Sequence, residues 1–238
     1  MTSVRIVARG PHAARVRHYG LEQRYPSELG RRALNVAVAA TGLVLTAPLM
    51  AVLAVLIKLT SRGSVFYTQT RIGLDRRRPG VPAGNNRRFQ NHGGKPFTIY
   101  KFRTMAAHNG HAPREVWALS DDPRVTRVGR ILRKYRLDEL PQLINVLRGE
   151  MNVVGPRPEQ PTIFARLREE IERYEERQRV HPGITGWAQI NQHYDSSVDD
   201  VRRKLTYDLE YVNRRSTLED LRIMLRTLPV MIGKKGAW

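Results

Sequence analysis

The sequence predicts an α+β fold, predominantly helical, in which a proline-broken, re-entrant membrane helix at 31–60 precedes a small cytoplasmic domain at 61–238. Three observations carry this. An apolar run without a single charge extends from 33 to 57; helical periodicity dominates after residue 137; and two short β-branched and aromatic runs lie between them.

The apolar run is bounded by Arg31 and Arg32 on one side and Lys58 on the other. At about 1.5 Å per residue it is long enough to cover a hydrocarbon core of roughly 30 Å. It is too long, and begins too far into the chain, for a signal peptide. A buried core helix is the competing reading. Pro48 sits mid-run, where it deletes a helical hydrogen bond and bends the axis. Both flanks are basic: Arg5, Arg9, Arg15, Arg17, Arg24, Arg31 and Arg32 precede the run, and Lys58, Arg62 and Arg71 follow it. Positive flanks stay on the cytoplasmic side, so both ends belong there, which a hairpin entering one leaflet satisfies; an ordinary crossing helix is the alternative reading.

Composition bounds the rest. A chain of 238 residues, 41% hydrophobic, buries one principal core with a short appendage. The absence of cysteine removes disulfides, thiolate metal sites and cysteine nucleophiles together. A formal charge of +19 calls for a polyanionic partner: nucleic acid, anionic inner-membrane lipid or a phosphorylated substrate. Composition alone does not choose among them.

Along the chain, 1–30 is Arg-rich without periodicity and reads as a disordered, membrane-facing tail. Residues 64–69 and 96–102 read as strands, and the turn-rich basic stretch 75–94 between them as a loop insertion. Leu140, Leu143, Ile144 and Leu147 repeat at i, i+3, i+4 and i+7, with Pro141 in the first turn and Gly149 past the end. That predicts a short helix with Asp138 at its N-cap. Longer helices are expected over 160–179, 197–213 and 217–232, the last an interfacial helix running into a basic tail to 238, with packing against the domain as the alternative for its apolar face.

Two adjacent acids, Asp138 and Glu139, stand in a cationic stretch with Arg133 and Arg136 at the start of that helix. Capping and the helix dipole would select acids there without any catalysis. The same surroundings also suit phosphate oxygens, and a carboxylate held among them can attack phosphorus or ligate a divalent cation. A second phosphate-suited element follows at 149–159, where Pro156 and Pro158 stiffen the backbone around Arg157.

Three segments, Lys-Phe-Arg-Thr-Met (101–105), Leu-Asp-Glu-Leu-Pro-Gln through Gly-Pro-Arg-Pro-Glu (137–159) and His-Pro-Gly-Ile-Thr-Gly-Trp-Ala-Gln (181–189), resemble in order the motifs of the bacterial sugar transferases, the monotopic polyprenyl-phosphate phosphoglycosyl transferases. The resemblance covers the chain from residue 31 onward, apart from the 75–94 loop. It implies a membrane-bound catalytic domain that initiates exopolysaccharide or related glycan synthesis. In that family the acid matching Asp138 attacks a UDP-sugar, releases UMP and carries the phosphosugar to polyprenyl phosphate, while the acid matching Glu139 works with Mg²⁺. Lys101, Arg133, Arg136 and Arg157 then fall to substrate phosphate, and Gly183, Thr185, Trp187 and Gln189 to a donor-side loop. The resemblance breaks at 190–194, which reads Ile-Asn-Gln-His-Tyr where the family carries a small residue and an arginine, and at Ala47, where a serine commonly precedes the proline.

Two other functions fit parts of the sequence. A nucleic-acid binder would explain the charge, yet the arginines flank an apolar run and populate loops instead of forming one aromatic-studded patch, so no nucleic-acid partner is expected. An inactive scaffold of the same fold would not need both acids among their cations. Self-association is left open.

Overall fold

A computed structural model of the chain describes residues 28–76, 93–106, 122–192 and 197–232. Residues 1–27 of the predicted tail, most of the 75–94 insertion, His193 and the C-terminal residues lie outside them, whereas residues 28–30, expected in the tail, form the start of the first helix.

The first helix, α1 (Glu28–Thr60), is assigned as one element with Pro48 inside it. Proline has no amide hydrogen to donate four residues back, so the Val44 carbonyl loses its helical partner there. Near this point Thr46 Oγ1 donates to the Gly42 carbonyl at 2.7 Å. The helix is anchored at both ends. Arg31, Asn35 and Ala39 repeat at i, i+4 and i+8 and are buried, and Leu53 and Ile57 are buried near the other end. Between and around these, Val44, Leu45, Val52, Val55 and Leu59 stay more than half exposed. Each such side chain held in water forgoes about 1.5–3 kcal/mol relative to burial, so this face favours hydrocarbon. Among the described residues α1 is the one helix long and apolar enough to cross a membrane.

Strands β1 (Phe66–Ile72) and β2 (Pro96–Phe102) pair antiparallel, from Phe66 opposite Phe102 to Ile72 opposite Pro96. Helix α2 (Arg127–Lys134) follows, capped by Thr126, whose Oγ1 accepts from the Gly129 amide. Gly129 is required there, because a Cβ would lie 2.0 Å from the Thr104 carbonyl oxygen. A 3-10 turn (Leu137–Glu139) leads through Pro141 into α3 (Gln142–Leu147). Strands β3 (Asn152–Val154) and β4 (Gly183–Thr185) form a small parallel pair. Helix α4 (Pro161–Glu170), a 3-10 segment (Tyr174–Arg179), α5 (Trp187–Asn191), α6 (Val198–Arg214) and α7 (Thr217–Ile232) complete the order.

Two expectations are corrected. The helix over 160–179 ends at Glu170: Ile171 is extended and Arg173 is left-handed at φ 64°. The break turns Arg177 inward to Glu159 and Asp208, ion pairs a continuous helix would not align. Asp138 is also not an N-cap: α3 starts four residues later with Pro141 at its cap position, and Asp138 lies inside the preceding 3-10 turn. The 3.6-residue spacing of the leucines places the helix correctly but does not reveal that its first turn tightens. The strands β3 and β4 and the helices α2 and α5 are additions, each too short for periodicity to register.

Helix α6 starts at a capping box between Ser197 and Asp200. On α7, Asp220 and Ile223 are buried while Leu218, Leu221, Leu225 and Leu228 are exposed. This helix therefore packs on the domain by one face and presents leucines on the other.

Candidate active site

The paired acids are fixed by the elements around them. Arg136 adopts the left-handed conformation at φ 57°, which turns the chain sharply into the 3-10 turn. Asn145, fully buried on α3, locks the following helix to β2: its Oδ1 accepts from the Tyr100 amide, and its Nδ2 donates to the Thr98 carbonyl and to Glu150. On β2, Lys101 shares the face of Phe97 and Ile99 and so points to the same side as this buried turn.

Glu139 is clamped. Its Oε1 lies 2.9 Å from Lys101 Nζ and 2.7 Å from Arg157 Nη2, while Oε2 receives only a longer contact of 3.4 Å from Arg157 Nη1. Arg136 Nη1 stands 4.0 Å from Oε1. Burial pushes this carboxyl upward, but Arg157 and Lys101 together more than offset it and hold the group well below the usual carboxylate range.

Asp138 is different. It is 8% exposed, and among the described residues no hydrogen bond or ion pair reaches its carboxylate. Burial raises its pKa, and the neighbouring Glu139 charge raises it further, against opposing pulls from Lys101, Arg157 and Arg133. One buried acid is held ionised by two cations; its neighbour is uncommitted and oriented among the same cations. Such separation of two adjacent carboxyls is the usual mark of divided chemical roles.

The cleft beside the acids is lined by Arg71, Ile99, Lys101, Gln142, Arg157 and Pro158. Burial lowers the Lys101 pKa, with Arg157 adding to the fall and Glu139 resisting it. The Pro-Arg-Pro backbone is held from behind. Arg71 Nη1 donates to the Pro158 carbonyl, the Ile72 amide to the Glu159 carbonyl, and Arg177 Nη2 to the Arg157 carbonyl. Glu159 in turn meets Lys204 at 3.1 Å and Arg177 at 3.4 Å, and Arg177 meets Asp208 at 2.8 Å. Burial alone would raise Glu159; Lys204, Arg177 and Arg71 bring it down to about 2.

The structure therefore brings Lys101, Arg157 and, at longer range, Arg136 to Glu139. Arg133 bonds instead to Thr104 Oγ1 at 2.9 Å and reaches Asp138 only through its charge. The donor-side group is engaged elsewhere: Thr185 Oγ1 with Thr227, Gln189 Nε2 with the Ile184 carbonyl, and Trp187 with Glu210 through Nε1 and with Arg214 over its ring at 4.4 Å. Gly183 pairs in β4, where a Cβ would lie 2.1 Å from the Gly155 amide nitrogen. Arg71, Gln142, Asn145 and the Glu159–Arg177 network escape sequence reasoning. A lone arginine inside the β1 pattern was the available sign of the first.

A family model described as bacterial sugar transferase matches residues 26–234. The chain belongs to that family. Similar sugar transferases include an undecaprenyl-phosphate glucose phosphotransferase of Komagataeibacter xylinus, 40% identical over 92% of this chain and 39% of that protein. A UDP-N-acetylgalactosamine-undecaprenyl-phosphate N-acetylgalactosaminephosphotransferase of Aeromonas hydrophila is 39% identical over 87% of this chain and 44% of that protein. A UDP-glucose:undecaprenyl-phosphate glucose-1-phosphate transferase of Caulobacter vibrioides is 38% identical over 90% of this chain and 74% of that protein. The chain thus spans about two fifths of the first two relatives and about three quarters of the third. All of the paired acids, their cations and the apolar helix of this family member fall within the matched region.

Proposed function

We propose that this chain transfers a sugar 1-phosphate from a UDP-sugar to undecaprenyl phosphate through a phosphosugar carried on Asp138, as the first membrane step of exopolysaccharide or a related glycan's synthesis. The observation that carries the reading is the asymmetry of the buried pair: Glu139 ion-paired closely to Lys101 and Arg157 and at 4.0 Å to Arg136, Asp138 not at all among the described residues. The names of the similar proteins supply the donor and acceptor classes.

In the first step an Asp138 carboxylate oxygen attacks the sugar-bearing phosphorus, the bond to the bridging oxygen breaks, and UMP leaves with that electron pair. In the second, a phosphate oxygen of undecaprenyl phosphate attacks the same phosphorus and Asp138 departs as the carboxylate. Lys101 and Arg157 stabilise charge on the phosphoryl oxygens, and Glu139 holds both cations in place. Arg133 adds positive potential at Asp138, and Arg136 at Glu139.

Magnesium fits this site. It is commonly held by one or two carboxylates together with substrate phosphates, and Glu139 Oε2, the less committed oxygen, is suited to that role with Asp138 adjacent. There it would neutralise charge on the departing phosphate. The direct test is incubation of detergent-solubilised protein with a panel of UDP-sugars, Mg²⁺ and undecaprenyl phosphate. UMP release and a lipid-linked product from at least one donor are expected; release from none would overturn the reading.

The rate should depend on pH at both ends. As pH falls through the raised Asp138 pKa, protonation removes the nucleophile; as it rises through the lowered Lys101 pKa, a phosphate-binding cation is lost. The profile of kcat/KM should be narrower than free aspartate and lysine would give. Lys101→Arg, if active, should move the alkaline limb outward and leave the acid limb in place.

The membrane reading rests on α1. Its first turns are tied to the domain through Arg31 with Asp220 and Tyr211, and through Arg32 with the Val146 and Leu147 carbonyls. Its last turns pack through Leu53 and Ile57 on Phe102 and Leu132. A helix fastened to one domain at both ends favours entry into one leaflet and return to the same, cytoplasmic, face over a crossing. The chain lacks cysteine, so single Leu29→Cys and Arg62→Cys variants can be labelled selectively in sealed vesicles. Both should react from the cytoplasmic side alone; labelling of the two from opposite sides would establish a crossing helix.

A further inference from the structure

Gln142 opens α3 and is 1% exposed, yet its Nε2 has no hydrogen-bond partner among the described residues. A buried amide left without a partner is costly, and such groups are retained where a ligand completes them. The side chain lines the same cleft as Lys101 and Arg157. Arg71 borders it too, with Nη1 on the Pro158 carbonyl, Nη2 on Gln69 and Nε without a hydrogen-bond partner among the described residues. We propose that Gln142 is a donor-binding residue, its amide hydrogens completed by an oxygen of the diphosphate that Lys101 and Arg157 also hold. This rests on the phosphosugar-transfer reading above.

The chemistry explains why an amide stands here. Three cations already border the cleft against the single clamped carboxylate of Glu139. A fourth would repel Lys101 and Arg157 and weaken their hold on Glu139. An amide adds two N–H donors at no charge, and its planar geometry can be held rigidly by burial. Phosphate oxygens, acceptors only when ionised, are the complementary ligand.

The test compares Gln142→Met, which keeps the length without hydrogen bonding, with Gln142→Glu, which keeps the shape and replaces the donors by acceptors. Binding of UDP and of uridine to the detergent-solubilised full chain is measured by calorimetry with Mg²⁺ present, beside thermal unfolding without ligand. Gln142→Met should unfold at the wild-type temperature or above it, since no existing hydrogen bond is removed. UDP affinity should fall on the order of 10- to 100-fold in both variants, consistent with loss of a hydrogen bond to a charged group. Uridine binding should not change. Wild-type UDP affinity in either variant overturns the proposal, as does an equal loss for uridine and UDP. Should wild-type protein bind UDP but release UMP from no UDP-sugar, the transfer reading fails while the contact is still measured. Should wild-type protein turn over and the variants bind UDP normally, the contact alone fails.

Discussion

Asp138→Asn should abolish sugar-phosphate transfer, by on the order of 10⁴-fold or more, in a protein that folds and extracts as the wild type does. The separation of the two effects follows from the geometry. Asp138 caps no helix, and no partner among the described residues loses a bond when its charge is removed. The substitution removes a buried negative charge beside Glu139, so unfolding should shift little or move slightly upward. A neutral amide cannot form the acyl phosphate. Glu139→Gln gives the contrasting outcome: Lys101 and Arg157 lose their shared counter-charge, so activity and stability should fall together. Brief exposure of wild-type protein to donor alone should leave a phosphosugar adduct on the peptide containing Asp138. Appreciable turnover by a sequence-verified Asp138→Asn protein would sink the covalent assignment.

The different surroundings of the two acids were not legible in the residues themselves, and a division of roles between them came only as what the family resemblance implies. Adjacent acids among arginines are compatible with capping as well as chemistry, and only the placement of the 3-10 turn removes capping for Asp138. Features set by one chain segment came through: the apolar α1, the paired strands, the leucines of α3 and the full extent of α7 all follow local period or composition. Features set by distant segments did not. The 160–179 helix breaks after Glu170, and the segment beyond the break pairs Arg177 with Asp208, 31 positions further on, a contact that no local window of sequence contains. Asn145 reads as one polar residue on an amphipathic helix, yet it satisfies the edge of β2. Arg71 reads as a membrane flank because it follows the apolar run, whereas the β1 register carries it into the cleft. The small residues of β4 and the Trp187 group show the converse. A strong motif match identified residues whose observed partners are α6, α7 and neighbouring backbone.

Two arginines twenty positions apart should fail in opposite ways. Arg177 is 1% exposed and joins Glu159, Asp208 and Tyr174 behind the Pro-Arg-Pro loop. Arg177→Met takes from buried Asp208 its ion pair, leaves Glu159 to Lys204 and releases the Arg157 carbonyl. Removing one member of a buried ionic group costs about 3–5 kcal/mol, which for a chain of this size lowers the unfolding midpoint by roughly 10 °C. Arg157→Ala removes a side chain from the cleft but leaves its backbone between two prolines and its carbonyl on Arg177. Glu139 keeps Lys101, so no buried carboxylate is orphaned. Its midpoint should move by only a few degrees while kcat/KM falls on the order of 10²- to 10³-fold, the usual cost of losing one preorganised charge at a transferring oxyanion. Thermal unfolding and turnover measured on both variants decide the matter. If Arg157→Ala loses as much stability as Arg177→Met, Arg157 holds the loop and its assignment to substrate phosphate fails. If Arg177→Met unfolds normally yet is inactive, the buried network acts on the chemistry directly and not by carrying the loop.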